Sequence, residues 1–376
     1  MQSKPNLKKS VTSLDTPWIR QNKPLIIAGP CAAETPEQLM EVAQDLALDG
    51  RTDYFRAGIW KPRTSPGSFQ GIGVPGLEWL QEVKKQTGLC VTTEVGSEKH
   101  VEEALKSGID MLWIGARTVS NPFVIQEIAD SLTGVDIPVL VKNPLSPDID
   151  LWEGAIKRLS QSGVKRLGAI HRGFFWWGKS QFRNQPFWHI PLELKNRMPQ
   201  IPILGDPSHM AGRRSLISLL AHRALEHKFA GLMVEVHPHP QEAWSDAAQQ
   251  LTPESFANVL DELLGEKKAQ DHTALLEELR AEIDTMDDML IWALSSRMEL
   301  AGKIAGLKQH ANIPALQSKR WEEVLNRVKT MGEISGLKAE FTEKLFEAIH
   351  DESLAFQIAL MKTNKSKTEK EPNFVH

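Results

Sequence analysis

Between residues 25 and 236 the chain repeats one pattern, a short apolar run rich in strand-forming residues followed by a longer segment with apolar residues at helical spacing. The runs fall at residues 25–29, 54–57, 89–93, 110–114, 137–141, 166–170, 201–205 and 231–236. Such alternation builds a parallel sheet, because each helix carries the chain back to start the next strand in the same direction. Eight repeats predict an α/β fold closed into a (β/α)8 TIM barrel. The rival is an open doubly wound sheet, which often begins with a GxGxxG turn, and none follows residues 25–29.

The pattern stops at a polar stretch, residues 265–271 (GEKKAQD). Beyond it Leu276, Leu279, Ile283, Met286 and Leu290 recur at steps of three and four, continuing through Leu294, Ala301 and Ile304, which is the spacing of one helix face. This predicts a single long helix ended by Pro314, a second helix over 318–329 and a third over 338–361. The expected organisation is a barrel over 1–264, a linker over 265–271, an all-α three-helix domain over 272–362 and a charged, disordered tail over 363–376. Three elongated helices bury little apolar surface alone, so pairing with a second copy is expected.

Composition removes several classes of function. The 376 residues leave room for one large and one small domain, and a net charge of -4 argues against nucleic acid or an anionic membrane as the partner. Any basic site must then be local. Two cysteines, Cys31 and Cys90, make no disulfide framework. No apolar stretch approaches the roughly 20 residues of a membrane span and residues 1–10 lead into no signal-like core, so a cytoplasmic location is expected.

In a barrel the reactive groups gather where strands end at the C-terminal face. Walking those ends gives Cys31, then Arg56 and Lys61, Glu94, Arg117, Lys142, Arg172, Asp206 with His209, and Glu235. The cations Arg56, Lys61, Arg63, Arg117, Lys142 and Arg172 would repel one another on one rim without anions between them, so a polyanionic ligand is predicted. A second subset, Cys31, His209, Glu235 and Asp246, mixes S, N and O donors that suit an exchangeable divalent metal such as Mn, Fe, Co or Zn. Spacing alone does not establish the set, because a lone cysteine or loop histidine is commonly structural, and His237 and His239 are rival ligands.

The segments AGPCA (28–32), KPRTSPGSFQG (61–71), TTEV (92–95), IGAR (114–117), VKNP (141–144), HRGF (171–174), GDPSHMAGRR (205–214) and GLMVEVHPHP (231–240) together resemble the type I-beta DAHP synthases. The likeness spans roughly residues 20–262, and KPRT separates it from the related KDO 8-phosphate synthases. It implies condensation of phosphoenolpyruvate with erythrose 4-phosphate to DAHP and phosphate. It also implies metal ligands at Cys31, His209, Glu235 and Asp246, with the metal polarising the aldehyde oxygen for attack by C3 of the enol phosphate. Phosphoenolpyruvate is expected with its phosphate at Arg117 and Arg172 and its carboxylate near Arg56, Lys61 and Lys142. Erythrose 4-phosphate is expected at the 61–64 loop, with Arg63 and Thr64; Lys61 and Glu94 are candidates for delivering the water that attacks C2.

Residues 279–308 (LRAEIDTMDDMLIWALSSRMELAGKIAGLK) are similar to the all-helical chorismate mutases, and the similarity continues through Arg320, Phe346, Ser353 and Gln357. The implied ligand-binding positions are Arg280, Arg320 and Gln357, with Arg297 and Lys308 as the catalytic cations. Helix geometry adds a constraint. Arg297 and Lys308 lie 11 positions apart, about 20° of rotation, and can flank one ligand, whereas Arg280 is about 25 Å from Arg297 along the axis and turned by about 100°. Arg280 would have to serve the site of a second copy, which predicts an antiparallel homodimer through the helical domain. Trp321 stands where the family usually has a glutamate, with Glu322 following, a departure that bears on the strength of mutase activity. Fusion of an early and a later pathway step predicts allosteric inhibition of the barrel by chorismate or prephenate. The alternative reading is a single-activity synthase with a helical dimerisation or effector-sensing domain.

Overall fold

The alternation of strand and helix signals closes as expected. In the structure, a computed structural model that describes residues 18–19, 23–62, 67–178, 180–265 and 272–368, β1 (Leu25–Gly29), β2 (Tyr54–Arg56), β3 (Cys90–Val95), β4 (Met111–Ile114), β5 (Val139–Lys142), β6 (Leu167–His171), β7 (Ile203–Gly205) and β8 (Gly231–Glu235) form a closed parallel barrel in chain order. The seam between β1 and β8 is fully paired, with Leu25 opposite Gly231 and Gly29 opposite Glu235. The chain divides into two units between Leu275 and Leu276.

Two prolines explain where the strands begin. The run expected over 137–141 starts pairing at Val139, and the run expected over 201–205 starts at Ile203. Pro138 and Pro202 have no N–H to give a ladder, so each sits before its strand and contributes its carbonyl, to Leu112 N at 3.0 Å and Ala169 N at 2.8 Å.

A period of two along each strand sorts the side chains. Ile27, Met111, Trp113, Leu140, Ile170, Leu204 and Met233 fill the barrel interior. Their neighbours Ile26, Ala28, Leu112, Val139, Val141, Ala169, Ile203, Leu232 and Val234 face the helical sheath. Continuing the inward set by two residues gives Glu235 after Met233, Lys142 after Leu140, Arg172 after Ile170 and Asp206 after Leu204, all buried. The same strands that build the core therefore deliver the charges to its mouth. His171, of outward parity, sits instead in an aromatic cage with its ring 5.3 Å from Trp188 and 5.7 Å from Phe174. Burial lowers its pKa to about 3, so it is a neutral wedge under the loop that begins with Arg172.

Gly29 ends β1 at φ 143°, and a Cβ there would stand 2.2 Å from the Arg56 carbonyl. Gly29→Ala is accordingly expected to lower the unfolding free energy by about 1–3 kcal/mol or more, read as a shifted urea midpoint with unchanged slope.

The second unit has three helices, His272–His310, Ser318–Ile334 and Ala339–Thr368. The second runs past the expected 329 through Gly332, where a Cβ would meet Thr342 Oγ1 at 2.4 Å; a residue without a side chain lets the second and third helices close on each other. The third continues to Thr368, so residues 363–368 of the expected disordered tail are helical, and 369–376 lie outside the described residues. Residues 266–271 of the expected linker also lie outside them. Along the first helix Leu276, Ile283, Met286, Leu290, Ile291, Trp292, Leu300 and Leu307 are exposed. Among the described residues, no helix is long and apolar enough to cross a membrane.

Candidate active sites

At the barrel mouth the ligand atoms of Cys31, Glu235 and Asp246 lie within 4.8 Å of one another. Cys31 Sγ donates to Asp246 Oδ2 at 3.2 Å, and Lys61 Nζ donates to the sulfur at 2.8 Å and to the Cys31 carbonyl at 2.6 Å. Burial, with the Glu235 and Asp246 charges, pushes the Cys31 thiol up to about 12 despite Lys61. Although burial opposes it, the Glu235 and Asp246 carboxyls are instead held below their usual range by His209 with Arg56 and Arg183 respectively, so two ionised carboxylates stand beside a thiol that a cation would help to ionise, a set that fits a divalent metal.

His209 stands beside this group, with Nε2 3.6 Å from Glu235 Oε1. Its orientation is fixed from behind. Asp206 caps the short helix Pro207–Ala211 by accepting from His209 N, and its carboxylate also faces His209 Nδ1 at 2.8 and 3.0 Å. A proton held on Nδ1 leaves the Nε2 lone pair toward Glu235. Although burial opposes ionisation of Asp206, His209 and Lys142 hold its carboxyl well below the usual range. Of the rival ligands, His237 is buried with Nε2 3.4 Å from Glu34, and His239 is 62% exposed and 3.4 Å from Glu41. Neither belongs to the group formed by Cys31, Glu235 and Asp246.

Next to the metal set is a cavity lined by Lys61, Glu94, Arg117, Lys142, Arg172, Arg183 and His209, together with Asp246. Lys142 Nζ is paired with Asp206 Oδ2 at 2.8 Å. Burial lowers the Arg172 guanidinium to about 10, and Arg183 and Arg117 add repulsion against the pull of Asp206. A guanidinium depressed in this way is relieved by an anion. Arg56 does not line this cavity. It lies beneath, donating to Glu235 Oε1 at 3.2 Å with its guanidinium 4.9 Å from the Trp113 ring, and its Nε and Nη1 are buried without partners. Arg63 and Thr64 lie outside the described residues.

The helical unit carries a pocket of about 400 Å³ lined by Arg297, Lys308, Arg320, Trp321, Ser353 and Gln357, among others. Arg297 Nη1 donates to Ser353 Oγ, and Lys308 Nζ donates to the Ala315 carbonyl at 2.6 Å and to Gln357 Oε1 at 3.3 Å. Burial lowers the pKa of both cations. Among the described residues no carboxylate lines the pocket, so it suits a dianion. Trp321 stacks on His350 at 4.0 Å and 16°. Arg280 is exposed and does not line this pocket.

Sequence reasoning missed three contributors. Arg183 reaches the cavity from the 172–188 loop, Gln249 Nε2 donates to Glu235 Oε2 at 2.6 Å, and Gln250 Oε1 accepts from Cys31 N at 2.9 Å. None stands at a strand end, so a walk along the strand ends could not reach them.

Comparison with known proteins bears on both units. A family model described as DAHP synthetase I family matches residues 15–270, and one described as chorismate mutase type II matches 279–358. A phospho-2-dehydro-3-deoxyheptonate aldolase of Thermotoga maritima is 36% identical over 238 residues, covering 63% of this chain and 68% of the relative. A 2-dehydro-3-deoxyphosphooctonate aldolase of Wolinella succinogenes is 27% identical over 268 residues, covering 64% and 98%. The crystal structure of the Thermotoga maritima phospho-2-dehydro-3-deoxyheptonate aldolase superposes with a TM-score of 0.59 at 33% identity, covering 66% of this chain and 70% of that one.

Proposed function

This chain belongs to the DAHP synthetase I family and carries a chorismate mutase type II domain, a bifunctional arrangement of the shikimate pathway, and from that premise we propose how its residues divide the work. The observation that carries the reading is the packing of a thiol, two carboxylates and a ring of cations into one barrel mouth.

Cys31, His209, Glu235 and Asp246 hold a divalent transition metal, one of Mn, Fe, Co or Zn. When bound, that ion supplies Lewis-acid polarisation of an aldehyde oxygen. Arg117 and Arg172 take the phosphate of phosphoenolpyruvate, with Lys61 and Lys142 at its carboxylate. Arg56 acts from below by fixing Glu235, and its two unpartnered nitrogens give it reach toward the same carboxylate. Erythrose 4-phosphate enters over the Lys61 loop with Arg63 and Thr64. Holding two anions at fixed cations supplies orientation and removes the entropy of their encounter. Lys61 and Glu94 are the groups placed to move a proton when water attacks C2.

In the helical unit Arg297 and Arg320 clamp the carboxylates of chorismate, Lys308 and Gln357 support the ether oxygen, and the protein forms no covalent bond to it. The exposed apolar face of the first helix is covered by a second copy, running antiparallel, and Arg280 of each copy completes the other's pocket. The reading is tested by incubating the protein with phosphoenolpyruvate and erythrose 4-phosphate and identifying the product, and separately by following chorismate in the parent and in Arg297→Ala. A different sugar phosphate product, or a parent with no mutase activity to lose, overturns the corresponding half.

Linkage of the two steps in one chain gives the helical unit a second task, inhibition of the barrel when chorismate or prephenate fills its pocket. Deleting residues 265–376 should leave a synthase that neither metabolite inhibits. Unchanged inhibition in the truncated protein rules the idea out.

A further inference from the structure

The loop over residues 172–188 brings into the barrel mouth a base that the strand ends do not supply. Arg183 N donates to the Ala211 carbonyl at 3.3 Å and Asn184 N to the Met210 carbonyl at 3.1 Å, so the loop is stitched to the short helix that carries His209. The Arg183 side chain runs across Gly212, where a Cβ would stand 2.4 Å from the Arg183 Cβ. A side chain at 212 would displace it.

From this seat Nη1 donates to Asp246 Oδ1 at 2.9 Å and to Gln249 Oε1 at 2.6 Å. Gln249 in turn donates to Glu235 Oε2 at 2.6 Å. A single guanidinium nitrogen thus touches one carboxylate of the metal set directly and a second through an amide. Arg183 also lines the cavity shared with Arg117, Lys142 and Arg172, and its Nε and Nη2 find no acceptor among the described residues. A planar fork with one prong used and the others open is suited to serve two partners at once.

The geometry points to Arg183 as the residue that couples the two halves of the barrel site, holding Asp246 for the metal with one nitrogen and the phosphate of phosphoenolpyruvate with the others. This rests on the barrel reading given above. While the phosphate is absent, the guanidinium charge competes with the metal for Asp246; a phosphate on its other face offsets that charge and leaves Asp246 oriented. Each ligand therefore tightens the other, and the coupling is reciprocal.

The test uses the full chain, stripped of metal, with Mn2+ binding followed by the electron paramagnetic resonance of free Mn2+, without and with phosphoenolpyruvate. In the parent, phosphoenolpyruvate is expected to tighten Mn2+ about tenfold. Arg183→Gln is expected to reduce that ratio to about twofold or less, while Mn2+ still binds. Arg183→Lys keeps a charge in the seat and guards against a folding defect; it is expected to lose most of the coupling too, because one ammonium cannot reproduce the fork. A parent-like ratio in both variants overturns the role of Arg183 and leaves the barrel reading standing. Equal weakening of Mn2+ with and without phosphoenolpyruvate marks a mere tether and overturns it as well. A parent that binds Mn2+ but no phosphoenolpyruvate removes the barrel reading itself.

Discussion

Stripping the protein of divalent metal should lower its consumption of phosphoenolpyruvate by about a thousandfold or more, since Lewis-acid polarisation contributes several kcal/mol and each 1.4 kcal/mol is tenfold in rate. The cations around the cavity would still gather both anions, but gathering alone leaves the aldehyde carbonyl unactivated. Conversion of chorismate in the same sample should not change, because among the described residues no thiol or carboxylate that a metal could use lines the helical pocket. Following both substrates before and after chelation, and again after return of single metals, separates the two units in one experiment. Full synthase activity in the metal-free protein would sink the assignment of Cys31, His209, Glu235 and Asp246. Replacement of Cys31 by serine should imitate part of the chelation effect, since the buried thiol becomes a harder and weaker donor. Its place between Lys61 and Asp246 leaves no second sulfur to substitute, the other cysteine being the exposed Cys90.

Lys308→Ala is the corresponding change in the helical unit, with an expected loss of about 10²–10³ in kcat for chorismate, the usual effect of removing one donor aimed at developing negative charge. The ammonium has three protons, and the Ala315 carbonyl and Gln357 Oε1 take two of them. The third is left for a ligand in the pocket. Partial burial, which lowers the Lys308 pKa, also thins the water that would otherwise screen it, so a negative charge developing in the pocket would feel it more strongly than a surface lysine. A rise in KM with kcat intact would show that Lys308 binds ground state and transition state alike. The synthase activity of the same variant serves as the internal control, and it should match the parent.

Much of both sites was legible before any coordinates. Walking the strand ends picked out Lys142, Arg172, Asp206 and Glu235 from the apolar runs alone; in the structure Lys142 and Arg172 line the cavity, while Asp206 and Glu235 are fully buried beside His209. Arg297 and Lys308 share a helix face by simple rotation and share a pocket in the structure. Arg56 shows the limit of that walk. It stands at the end of β2, but it is buried against Glu235 rather than on the cavity wall. Arg183 shows the limit more sharply, since it lies in an aperiodic loop and meets Asp246 across 63 positions of sequence.

The sequence by itself determined the barrel, the three helices and the strand ends at which the charges would emerge, because these follow from short apolar runs and helical periods that any short window contains. Tertiary structure alone decided which loops meet above the barrel. Closure of β8 on β1 brings the loop carrying Asp246 against the one carrying Cys31, and the stitching of the 172–188 loop to the His209 helix seats Arg183 against Asp246 at the edge of the cavity. Distances between segments so remote in the chain are set by the circumference and shear of a closed sheet, and no local pattern encodes them.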